Sequence, residues 1–316
     1  MNQFQVQAVE ILSPDLVPFI GESDVSMILA SVQEVKLVPR REGDIEVEAG
    51  TVGFQLLEVF RSDVLSKGGN IEVPAKRMLD RQARARNNFD QWNNLSLNPG
   101  ELVVLAVRPL APPKLWQGLA ALAVDSPVDP KVSAVHQCYA IEEFTGPPAQ
   151  KKDLVRGALM SSQEVLRFYA LDAVGRRAIL GRQVGASLIA EAITSPKTAP
   201  DDRLELGMYL TRQYFFDKGL ADDRANRTVV AALAQGMVNE TNPERRLEWS
   251  KYLASCILPE FSLDPAIDKA QRSSLVKSVQ QPAAGQVISV LSGLLTQGAT
   301  DEREIVRKLL EAWRAA

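Results

Sequence analysis

His136 and Cys138 are the one pair in this chain that could place a nucleophile beside its base, and His136 is the only histidine. A cysteine nucleophile needs an exposed thiolate touching the imidazole. Val135–Ile141 reads as a strand, where positions two apart share a face, so the sequence leaves that geometry open. A packed or solvated histidine explains the same residues without chemistry. A lone histidine cannot build H-E-x-x-H or a multi-histidine metal site. Cys138 and Cys256 cannot supply four zinc ligands or a disulfide framework. They read as buried, apolar-like thiols, with a cross-domain disulfide as the alternative. No G-x-G-x-x-G, G-x-x-x-x-G-K-[ST] or G-x-S-x-G is present. The acid pairs Asp201-Asp202 and Asp222-Asp223 precede helical patterns, where they complement the helix dipole. Asn94-Leu95-Ser96, Asn226-Arg227-Thr228 and Asn239-Glu240-Thr241 match the glycosylation sequon, which matters only in a eukaryotic secretory route. The residues imply no catalytic centre, no metal and no cofactor.

The most distinctive local chemistry is a basic insertion over residues 75–95. Lys76, Arg77, Arg81, Arg84 and Arg86 are offset only by Asp80, and Phe89 and Trp92 follow. On a helix, Arg77, Arg81 and Arg84 would share one side. Arginines on phosphates with rings stacked on bases would hold single-stranded nucleic acid. The same residues fit a solvated segment anchored by Met78, Leu79, Phe89 and Trp92, or a surface that docks another protein. The net charge of −3 over 316 residues gives no global attraction to nucleic acid, so the solvated, anchored segment ranks first, protein docking second and nucleic acid last.

The elements that must position these groups change character along the chain. Asp24–Val38 is rich in β-branched and apolar residues. Thr51–Phe60 alternates Val52, Phe54 and Leu56, then shifts phase to Leu57 and Val59, as a bulge or a doubly buried strand would. Ile71–Val73 follows the turn Gly68-Gly69-Asn70, and Leu102–Val107 follows Asn98-Pro99-Gly100. With Val135–Ile141 as the last strand, this makes a small antiparallel barrel or sandwich over residues 1–146. Gly146-Pro147-Pro148 marks the boundary, where the apolar period changes from two to 3.6. In residues 147–316, Ser161 with Glu164 has the form of a capping box. Asn242-Pro243 reads as an N-cap and first helical residue, Gln281-Pro282 opens another helix, and Thr300-Asp301-Glu302 opens the last. Ile305, Val306, Leu309, Leu310 and Trp313 line one side of that last helix. Helix pairs starting near Ser161, Ala199, Asn242 and Gln281 recur about every 40 residues, the spacing of HEAT-type arrays; an irregular helical bundle would give a similar pattern. The longest clean apolar run, Leu102–Val107, is far too short for a membrane span. The first thirty residues carry no basic start and apolar h-region. The chain is therefore expected to be soluble, and either cytoplasmic or, if a leader was removed, secreted or periplasmic.

Two resemblances follow from these residues. Glu22-Ser23-Asp24 opening a long strand, Thr51–Arg61 ending in Leu57-Glu58-Val59-Phe60-Arg61, then Gly69-Asn70-Ile71-Glu72-Val73 and Asn98-Pro99-Gly100-Glu101-Leu102, resemble the netrin-like or tissue-inhibitor-of-metalloproteinases domain over about residues 9–142. The resemblance implies an OB-fold-like barrel, of a kind that occurs in extracytoplasmic bacterial proteins. The family's inhibitors use an N-terminal cysteine, whereas this chain begins Met1-Asn2 and has no cysteine before Cys138, so that activity transfers to no residue here. Ser161–Val174 resembles the first helix of a HEAT repeat. The resulting expectation is a multidomain β-then-α protein: an OB or netrin-like barrel followed by a HEAT-like repeat or bundle. It would act as a non-enzymatic interaction or scaffold protein whose partner is another protein. The alternatives are an enzyme with a site between the two domains, and weak binding of single-stranded nucleic acid through the insertion.

Overall fold

In the computed structural model, residues 16–42, 45–78, 97–110, 115–215, 223–261, 269–279 and 282–315 are described. Five strands form one antiparallel sheet: β1 (Ser26–Glu42), β2 (Ile45–Arg61), β3 (Asn70–Met78), β4 (Leu102–Leu110) and β5 (Leu115–Val124). Their order is β3-β2-β1-β4-β5. Gly68 and Gly100, with φ of +85° and +91°, make the two anticipated turns, a backbone region open to glycine. β1 pairs with β2 along its whole length, but with β4 only over Ser26–Ser31. The two edge strands come within 8 Å between Cα atoms yet share no ladder, so the sheet curls without closing into a barrel.

The phase shift at Leu56–Val59 has a structural cause. Leu29 faces Glu58 while Ala30 faces Leu56, so Leu57 is an extra residue on β2. On β1 the extra residue is Gln33, since Val32 faces Phe54 and Glu34 faces Gly53. Each such bulge adds one residue to one strand and deepens the local twist. The inner face buries Ile28, Val32, Phe54, Leu56, Val73 and Leu105 in one cluster. Met27, Leu29, Val104 and Ala106 on the opposite face are buried as well. Helix α1 (Pro130–Glu142) is fastened to that sheet: Lys131 Nζ donates to the Ala123 carbonyl at 3.0 Å, and the His136 ring packs edge-on against Phe60.

α1 overturns the expectation of a last strand over Val135–Ile141. Asp129 caps the helix, accepting from the Lys131 and Asp125 N–H groups, and Pro130 occupies the first turn. Its buried positions Val132, Val135, Cys138, Tyr139 and Ile141 recur at helical spacing; read from Val135 alone, they mimic alternation. The missing fifth strand is β5, whose sequence LWQGLAALAV is poor in the β-branched residues that favour strands. The change from strands to helices therefore falls at Asp129, ahead of Gly146.

Nine further helices follow among the described residues: α2 (Pro148–Leu159), α3 (Glu164–Val174), α4 (Arg182–Thr194), α5 (Pro200–Phe215), α6 (Asp223–Asn239), α7 (Pro243–Ile257), α8 (Lys269–Lys277), α9 (Ala283–Leu294) and α10 (Thr300–Arg314). The described residues up to Thr145, together with Gln163–Tyr169, make one compact unit; Gly146–Ser162 and the residues from Ala170 onward make the other. In the helical unit, α4 neighbours α5, α6 neighbours α7 and α9 neighbours α10. Successive pairs also stack: α2 on α4 on α6 on α9 in one layer, and α5 on α7 on α10 in the second. α3 begins at Glu164, so that residue is the first of the helix and not the third, as a capping box with Ser161 requires. Asn242 does cap α7, accepting from the Glu244 and Arg245 N–H groups at 2.8 and 3.2 Å. In α10, Glu302 accepts from the Ala299 N–H at 2.8 Å, and Val306, Leu309, Leu310 and Trp313 are buried.

Candidate functional site

The basic insertion begins on the sheet. Lys76 and Arg77 are among the last residues of β3, in register with Ala49 and Glu48 of β2. Arg81, Arg84, Arg86, Phe89 and Trp92 lie outside the described residues, as does the rest of the anticipated helix.

The His136–Cys138 pair is resolved by its helix. Two positions apart on an α-helix differ by about 200° around the axis, and the two side chains part accordingly. Cys138 is fully buried, whereas His136 is half exposed and places Nε2 3.1 Å from Glu58 Oε1. A thiol buried away from its base cannot serve as a nucleophile. Beside them, the Tyr169 hydroxyl donates to Glu142 Oε2 at 2.6 Å. Burial pushes the Tyr139 hydroxyl above its ordinary range, against the pull of nearby Arg61. Neither cysteine is in a disulfide, and burial pushes the Cys256 thiol up to about 12.

The acid pairs and sequons also find structural places. Asp201 and Asp202 lie in the first turn of α5, and Asp201 holds Arg245 at 3.1 Å. Asp222 lies outside the described residues, and Asp223 opens α6. Among the described residues, no three His, Cys, Asp or Glu side chains are grouped to hold a metal ion. Asn226 is buried inside α6, where a glycan cannot be accommodated. Asn94 falls outside the described residues, and Asn239 ends α6. No helix among the described residues is long and apolar enough to cross a membrane.

What the sequence reading missed is a groove of about 440 Å³ between α4 and α6. Ser187, Ala190 and Thr194 of α4 face Thr228, Ala231 and Gln235 of α6 across it. The signal was present: on both helices, small or neutral residues recur three and four apart. Each hydroxyl is already committed to its own helix. Ser187 donates to the Gln183 carbonyl at 3.0 Å, Thr194 to Ala190 at 3.0 Å and Thr228 to Arg224 at 3.0 Å. The one charged residue of the lining, Glu191, holds Arg156 of α2 at 2.8 Å, and the same guanidinium also binds Asp153. With its hydroxyls internally bonded and its one carboxylate held by Arg156, the lining presents no activated nucleophile. Its chemistry is that of a packing surface.

No protein-family model, curated protein or solved structure matches the chain.

Proposed function

We propose that this is a non-enzymatic interaction or scaffold protein, and that its stacked helix pairs hold a protein partner. One observation carries the reading: the α4–α6 groove is open and chemically neutral, with its hydroxyls bonded to their own helices and its carboxylate paired. Such a surface accommodates side chains and does not transform a substrate. Arrays of stacked helix pairs present extended surfaces of this kind. The neighbour pattern of α4 to α10 supports a HEAT-like description of the second unit. For the first unit, the order β3-β2-β1-β4-β5 with β3 brought near β5 supports an OB-type, netrin-like description, since that fold is a partly open five-stranded barrel.

The test is site-directed. A photo-crosslinking residue at Thr228 or Ala231 should capture one dominant partner in host cells. That partner, purified, should bind the wild type and lose at least tenfold affinity to Ala231→Arg, a change at an exposed position that fills the groove. Equal affinity of the wild type and Ala231→Arg would overturn the proposal.

A further inference from the structure

Among the described residues, the distal half of β1 has an open outer edge. β4 leaves β1 at Val32, which donates to the Glu101 carbonyl and accepts from the Gly100 N–H. Among the described residues, no strand pairs on that side with β1 beyond this point. The bulge at Gln33 reverses which backbone groups face outward. Ahead of it the even residue Val32 points to β4. After it Lys36 points its carbonyl at β2, so closely that a Cβ on Gly50 would stand 1.8 Å from that oxygen. Val35, Leu37, Pro39 and Arg41 therefore turn their main-chain groups away from β2. Pro39 confirms the phase: it has no N–H to donate, and proline in a sheet belongs where that position faces away from the ladder. Residues 33, 34, 36 and 38–41 are exposed, and Val38 is an apolar residue 51% exposed on this edge.

An open edge is a template for another strand, and here the charges select which one. Two antiparallel copies of this edge must align odd residues with odd ones. Centred on Lys36, the two Lys36 ammonium groups would oppose each other. Centred on Val38, Lys36 would oppose Arg40. Centred on Val35, the partner's residues 38–40 would run into β4, which pairs with Ser31 and bonds Val32; centred on Pro39, two prolines with no N–H to donate would meet at the axis. Centred on Leu37, Glu34 opposes Arg40 twice, Gln33 opposes Arg41, and Lys36 opposes the apolar Val38. Like charges directly opposite destabilise a pair of strands, and unlike charges stabilise it. We infer that the protein associates as a symmetric dimer through the outer edge of β1. The copies pair antiparallel about Leu37, with Glu34 of each facing Arg40 of the other. Roughly four main-chain hydrogen bonds form around the axis, fewer than a full ladder because Pro39 donates none. Lys36, which holds Glu34 at 2.7 Å within its own strand, completes a charge cluster at each end. The self-complementary edge makes the contact isologous and closed, so it stops at two copies. This inference does not depend on the helical groove.

Sedimentation of the full chain across the micromolar range tests it. The wild type should show a reversible monomer–dimer equilibrium. Arg40→Glu replaces both attractive pairs with repulsive ones and should weaken the dimer about tenfold. The exchange Glu34→Arg with Arg40→Glu should restore it. Leu37→Pro, which removes the donor at the axis while leaving the β1–β2 ladder intact, should weaken it too. A chain monomeric throughout, a dimer indifferent to Arg40→Glu, or a charge exchange that fails to restore association would each refute the pairing.

Discussion

Trp249 of α7 is 1% exposed, and its indole lies against two glycines on two other helices. A Cβ added to Gly207 of α5 would stand 2.3 Å from its Cζ3 and 2.7 Å from its Cη2; one added to Gly236 of α6 would stand 2.8 Å from Cη2. The ring is approached by both helices, so moving away from one closes on the other. Overpacking of this kind costs about 1–3 kcal/mol. Alanine gains about 1 kcal/mol over glycine in a helix, so Gly207→Ala should destabilise the helical unit by up to about 2 kcal/mol. For a unit of this size that is a fall in Tm of up to about 8 °C. The controls are Gly157 and Gly293, helical glycines with nothing within 4 Å of the added atom; there the same substitution should raise stability by up to about 1 kcal/mol. Thermal melts followed by far-ultraviolet circular dichroism on all three variants decide it, and Trp249→Leu should shrink the penalty of Gly207→Ala by making room. If Gly207→Ala stabilised the protein as Gly293→Ala does, the packing argument would fail.

Three further outcomes are expected. Asn242→Ala removes the cap of α7 and should cost about 1 kcal/mol, read as a lower urea midpoint. Burial works against ionised Glu240, but the N–H groups of Asn242 and Thr241 and the Arg245 guanidinium outweigh it and hold the carboxyl below its usual range. Its folded pKa therefore lies below the unfolded one, so its stabilisation is complete above the ordinary carboxylate range and is lost as pH falls through the depressed value; Glu240→Gln should flatten the urea midpoint against pH in that acid window. Gly50→Ala would press its methyl into the Lys36 carbonyl oxygen, so exchange of the Lys36 and Thr51 amides, which face each other across the ladder, should accelerate, whereas Gly53→Ala, with its nearest contact at 3.8 Å, should leave the hairpin protected.

What could be read from the residues was local, and what could not was relational. The turns at Gly68 and Gly100 and the cap at Asn242 were legible because their side-chain and backbone chemistry acts over three or four residues. The phase shift at Leu57 was legible because a bulge rewrites the apolar pattern of its own strand. β5 was missed because a strand built from Leu, Ala and Gly owes its state to its neighbour β4, not to its own propensity. Val135–Ile141 alternates like a strand on its own; the residue that makes it helical, the capping Asp129, lies six positions upstream of Val135. The α4–α6 groove combines two unremarkable small-residue stripes, and only the stacking of their helices gives them meaning. Pro39 carried a signal that went unused: a proline in a strand flanked by charge marks an open edge.

The most direct measurement is hydrogen–deuterium exchange of the protein alone and with the partner captured at the groove. New protection should be confined to residues 187–194 and 228–235, on the facing sides of α4 and α6. Protection that left both segments unchanged while the partner was bound would contradict it.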